Sequence, residues 1–155
     1  MKGRPTVLLV EDDPDLTRFA HLALRLSGYR AVTADDGEVA IRTARRERPD
    51  LVLLDLGLPR LDGWQVLTAL RGEPALARVP VVILTASADP LDRERARTAA
   101  IAGFVLKPVT TDRLLDLVAR ALAAPRDGAS PRPGGAARCA QAVVAPSAPA
   151  PRTAR

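Results

Sequence analysis

Residues 50–63 read DLVLLDLGLPRLDG. Leu51, Val52, Leu53 and Leu54 form an unbroken apolar run bounded by Asp50 and Asp55. A run that short, with no polar alternation, predicts a strand buried on both faces, as in the middle of a parallel sheet. Gly57 and Pro59 stop regular structure, and Asp62 followed by Gly63 suits the start of a helix with Asp62 as its cap. Asp55 is thereby placed at the carboxyl end of a central strand, the edge where open α/β sheets collect ligands and chemistry.

Upstream, residues 6–10 form a second apolar run that ends in Glu11, Asp12, Asp13 and Pro14. Asp12 or Asp13 can cap the helix that follows and Pro14 fits its first turn, yet three consecutive acids exceed what a cap requires. The helix carries Leu16, Phe19, Ala20, Leu22, Ala23, Leu24 and Leu26 as one broad apolar side and ends at Gly28. A shorter strand over 29–34 and a helix over 38–47 complete the first half.

Downstream of the central strand, a helix over 63–71 places Val66, Leu67 and Leu70 toward the sheet, and Trp64 gives partial cover to the core. A strand over 79–84 leads to Thr85, Ala86 and Ser87. An Ala-rich, charged helix is expected over 89–102, with acid–Arg pairs along its surface and few large apolar anchors, so that it packs weakly. A strand over 103–106 ends in Lys107 and Pro108, and a final helix covers 111–122. Five alternations of strand and helix predict an α/β fold, a doubly wound five-stranded parallel sheet with right-handed crossovers and helices on both faces. One edge of that sheet gathers Glu11, Asp12 and Asp13, then Asp55, then Thr85, then Lys107.

Composition narrows the function. The net charge of +5 is not a nucleic-acid footprint, because residues 1–124 hold 18 basic and 17 acidic residues while residues 125–155 hold five Arg and one Asp. Lys107 is conspicuous, since only it and Lys2 are lysine among 23 basic residues and a lysine offers a compact ammonium where Arg offers a planar fork. The single Cys139 excludes an internal disulfide and a Cys-based zinc site. No apolar run is long enough to span a bilayer, and a cytoplasmic protein is expected. The Ala-, Pro- and Arg-rich residues 125–155 are expected to be disordered.

With VEDD at 10–13, D-x-x-LP-x-x-DG at 55–63, LTA at 84–86 and KP at 107–108, residues 5–122 resemble the receiver domain of two-component response regulators. The resemblance implies a flavodoxin-like sheet of order 2-1-3-4-5 in a receiver domain spanning 1–124. It implies that Asp55 accepts a phosphoryl group from a sensor histidine kinase or a histidine phosphotransfer protein. Mg²⁺ would be held by Asp12, Asp13, Asp55 and the backbone carbonyl of Gly57, with Thr85 and Lys107 contacting the phosphoryl oxygens and Thr85 and Phe104 acting as the switch pair. Phe104 stands where the family more often has Tyr, and the Lys107–Pro108 peptide is expected to be cis. Self-phosphorylation from small donors and autodephosphorylation follow from the same resemblance.

A stand-alone receiver is expected, a monomer or weak homodimer acting through its fourth helix, fifth strand and fifth helix on another protein or relaying phosphate, without direct DNA binding. Ala102 and Gly103 replace the acidic pair that DNA-binding regulators use for dimerisation. Two other classes compete. A pseudo-receiver would bind partners without taking phosphate, and the intact acids, Thr85 and Lys107 weigh against it. An aspartyl-phosphate phosphatase would resemble D-x-D at the nucleophile, whereas Leu56 and Gly57 follow Asp55.

Overall fold

Strands β1 (Thr6–Val10), β2 (Arg30–Ala34), β3 (Leu51–Asp55), β4 (Val81–Thr85) and β5 (Gly103–Leu106) alternate with helices α1 (Pro14–Leu26), α2 (Gly37–Glu47), α3 (Gly63–Gly72), α4 (Pro90–Thr98) and α5 (Thr111–Ala123) in a computed structural model that describes residues 3–126. All strand pairings are parallel, in the order β2-β1-β3-β4-β5. This is the flavodoxin-like arrangement expected. β3 lies at the centre with every residue buried. Alternate side chains feed two cores: Leu8, Val10, Val52, Leu54 and Ile83 face α2 and α3, while Val7, Leu9, Leu51, Leu53 and Leu84 face α1 and α5. Each fully buried leucine contributes about 1.5–3 kcal/mol of burial free energy.

The register brings the chemistry to one edge. Val10 pairs with Leu54 and Asp55 with Leu84, while Thr85 pairs with Leu106, so Glu11 and Lys107 stand just beyond the ends of strands whose neighbours end in Asp55 and Thr85. The loop after Asp55 folds back tightly: Gly63 N–H donates to Leu56 O at 3.1 Å, and Asp62 and Gln65 form a reciprocal capping box at the start of α3. A Cβ at Gly63 would collide with the backbone carbonyl of Asp55 and lie 2.8 Å from Leu56 Cα. That close approach, and not an unusual φ, is what requires glycine there.

Three local expectations change. α4 ends at Thr98 instead of continuing to 102, because Ala102 N–H already donates to Val81 O and Arg71 holds Ala100 O, so tertiary bonds to β4 and α3 draw the segment out of the helix. β4 begins after Pro80, whose carbonyl accepts from Val52 N–H. In α1 only Ala20, Ala23 and Leu24 are buried, whereas Phe19, Leu22 and Leu26 are exposed, so the broad apolar side is only partly covered. The expectation of disorder over 125–155 lies, from residue 127 on, outside the described residues. Among the described residues no helix is long and apolar enough to cross a membrane.

Candidate functional site

The strand ends converge on a cluster of three carboxylates and one ammonium. Lys107 Nζ donates to Glu11 Oε2 at 2.5 Å and to Asp55 Oδ2 at 3.1 Å. Asp55 Oδ1 in turn accepts from Gly57 N–H at 3.1 Å, and Glu11 Oε1 from Asp13 N–H at 3.2 Å. Glu11, Asp12 and Asp55 each present a carboxylate oxygen within 4.8 Å of the others, Asp12 from an exposed position and the other two from buried ones. The Lys107–Pro108 peptide is cis, as expected.

Asp13 does not join this cluster. Its Oδ1 accepts from Asp15 N–H and Leu16 N–H at 2.9 and 3.3 Å, which makes it the N-cap of α1. Glu11, absent from the expected ligand set, occupies the cluster instead. The signal was in the sequence: Pro14 takes the first helical position, so the acid before it is the cap and the two acids before that are free for other work.

Taken as ionised, three carboxylates against one ammonium leave an excess of two negative charges on oxygen donors alone. That donor set fits a hard divalent cation such as Mg²⁺. Burial pushes the Glu11 carboxyl above the usual carboxylate range, against the opposing pull of its hydrogen bonds to Lys107 and Asp13. For Lys107 burial acts downward, but the hydrogen bond to Glu11 and the charges of Asp55 and Glu11 outweigh it and raise the ammonium's pKa. A Glu11 pKa above its unfolded value means that ionising Glu11 opposes folding above that pH, and the cost disappears as pH falls through the folded-state value. A carboxyl-carbon NMR titration without metal is expected to place the Glu11 midpoint above 4.5, and Lys107→Met to move it further upward.

Thr85 is 1% exposed and its Oγ1 accepts from Ser87 N–H at 3.0 Å. Phe104 is buried in the core on the α2–α3 side, a cluster against which Ala96 of α4 and Ala99 just after it also pack. Gly57 leaves open space: a Cβ there would meet nothing nearer than Asp55 Oδ1 at 3.9 Å.

Known proteins resemble this chain in sequence and fold. Residues 7–119 match the family model described as Response regulator receiver domain. The chain belongs to that family. The Mycobacterium tuberculosis protein named probable transcriptional regulatory protein TcrX is 44% identical over 73% of this chain and 48% of its own, and the transcriptional regulatory protein KdpE of the same species is 38% identical over 70% and 47%. The chain thus spans about half the length of the curated relatives it matches. Among solved structures, the receiver domain of the Pseudomonas aeruginosa sensor histidine kinase PA1611, described with a magnesium ion coordinated in its active site cleft, is 35% identical with a TM-score of 0.72, covering 79% of this chain and 100% of that one. The Vibrio cholerae chemotaxis response regulator CheY4 is 25% identical with a TM-score of 0.71, covering 76% and 98%.

Proposed function

We propose that Asp55 is the phosphoacceptor of this receiver, taking a phosphoryl group from a phosphohistidine of a sensor histidine kinase or histidine phosphotransfer protein in the cytoplasm. The observation that carries the reading is the meeting of Glu11, Asp12, Asp55 and Lys107 at the carboxyl edge of the sheet. Glu11, Asp12 and Asp55, with the backbone carbonyl of Gly57, would hold Mg²⁺, which supplies neutralisation of charge between an anionic donor and clustered carboxylates. The magnesium described in the Pseudomonas aeruginosa receiver supports the same occupancy.

In the transfer an Asp55 oxygen forms the new bond to phosphorus, the phosphorus–nitrogen bond to the donor imidazole breaks, and the imidazole leaves with the bonding pair. Gly57 N–H, on Asp55 Oδ1, orients the nucleophilic carboxylate. The Lys107 ammonium, already against Asp55, moves to the phosphoryl oxygens and stabilises their charge. The Thr85 hydroxyl donates to the phosphoryl group a hydrogen bond that exists only after transfer. The modified state acts through α4, β5 and α5 on another protein, or passes the phosphate onward, with the receiver monomeric or weakly dimeric. Small acyl phosphates serve as donors, and water later hydrolyses the acyl phosphate.

Incubation with MgCl₂ and acetyl phosphate, followed by intact-mass measurement at short times, is expected to show one added phosphoryl group that vanishes when EDTA replaces the metal. A protein that stays unmodified at every time point would be a pseudo-receiver, a constitutive binding module.

A further inference from the structure

Helix α4 is poorly anchored by apolar packing: none of its residues is buried, Leu91 is exposed, and Arg93 Nε is buried without a hydrogen-bond partner. An open groove of about 770 Å³ lies between α3 and the C-terminal half of α4, with Trp64, Thr68, Arg95 and Thr98 among its lining. What ties α4 down is polar. Asp92 spends both carboxylate oxygens on neighbours outside its own helix: Oδ1 accepts from Trp64 Nε1–H on α3 and Oδ2 from the Ser87 hydroxyl, each at 2.8 Å. Arg95 lies over the Trp64 ring, 6.0 Å from its centroid. Ser87 is the hub, because its N–H donates to Thr85 Oγ1 at 3.0 Å while its Oγ also accepts from Asp89 N–H at the start of α4.

We propose that Thr85, Ser87, Asp92 and Trp64 form a hydrogen-bonded latch that holds α4 against α3 in the resting protein and opens from the Thr85 end. The proposal rests on the phosphoacceptor reading. When Thr85 turns its hydroxyl toward a phosphoryl group on Asp55, its Oγ1 leaves the Ser87 N–H. Ser87 then follows and withdraws its hydroxyl from Asp92. Asp92 is left with one partner on a helix that has no buried side chain to keep it in place, so the output surface moves. Asp92 stands three residues before Arg95 on α4, but its carboxylate is committed to Trp64 and Ser87.

The chain has a single Trp, so its indole N–H resonance reports the latch directly. In the full chain without metal or donor, Ser87→Ala is expected to shift that resonance toward its position in Asp92→Ala and to accelerate amide exchange in α4 about tenfold, the scale of one lost hydrogen bond to a charged group. Ser87→Thr, which keeps a hydroxyl, restores both. Acetyl phosphate and MgCl₂ added to the unaltered protein move the resonance in the same direction, in proportion to the adduct seen by intact mass. A complete adduct with an unmoved indole resonance overturns the latch and leaves the phosphoacceptor reading standing. Unchanged α4 exchange in Ser87→Ala overturns the latch without reference to phosphate, whereas absence of any adduct overturns the phosphoacceptor reading and removes the trigger with it.

Discussion

Asp12→Ala is expected to weaken Mg²⁺ binding about 100-fold or more, since even outer partners of metal ligands are worth about 10–100-fold, while the neighbouring Asp13→Ala leaves the affinity within about twofold. The two carboxylates sit side by side in sequence but do different work. Asp12 presents its oxygen to Glu11 and Asp55, whereas Asp13 holds the first N–H groups of α1. Asp13→Ala therefore costs stability, about 1 kcal/mol as for other N-caps, and Asp12→Ala does not. Titration with MgCl₂ followed by thermal unfolding separates the two: the unaltered protein and Asp13→Ala gain Tm with metal, the latter from a lower starting point, and Asp12→Ala gains none. Loss of Mg²⁺ binding in Asp13→Ala, with Asp12→Ala unaffected, would reverse the assignment.

Gly63→Ala is expected to destabilise the fold by about 2–3 kcal/mol, in the range for forcing an atom into a packed interior, and to slow modification of Asp55. The added Cβ would meet backbone, the Asp55 carbonyl and Leu56 Cα, and backbone cannot step aside as a flexible side-chain end can. Relief has to come from moving the start of α3 or the strand end that carries Asp55. Gly72→Ala is the matched control, because that glycine also lies in α3 and has no atom within 4 Å of a built Cβ. It should leave stability unchanged or raise it by up to about 1 kcal/mol, the usual gain over helical glycine. Chemical denaturation of the three proteins measures both effects.

The pattern of short apolar runs was enough to read the sheet, because a strand buried on both faces admits almost no polar residue and β3 and β4 contain none before their last position. Asp55, Thr85 and Lys107 were legible for the same reason, as the polar residues at which those runs stop. What local pattern could not supply was the length of α4, which tertiary bonds to Arg71 and Val81 cut short, and the partner of Asp92, which lies 28 residues away on α3. The choice among Glu11, Asp12 and Asp13 needed the geometry of the helix start. Pro14 carries that information, but only once Asp13 is seen to be the cap does it free Glu11 for Lys107. The covered and uncovered parts of α1 were not separable by periodicity, since Phe19 and Leu22 are as apolar as Leu24 and differ only in which way they face.

Asp55 as the phosphoacceptor is tested by locating the phosphoryl group. After reaction with acetyl phosphate and MgCl₂, borohydride reduction converts an aspartyl phosphate to homoserine, and peptide mass mapping then identifies the altered residue. Homoserine is expected at position 55 alone, and none in Asp55→Asn or when EDTA replaces the metal. Homoserine at another acid, or an adduct that persists in Asp55→Asn, would contradict it.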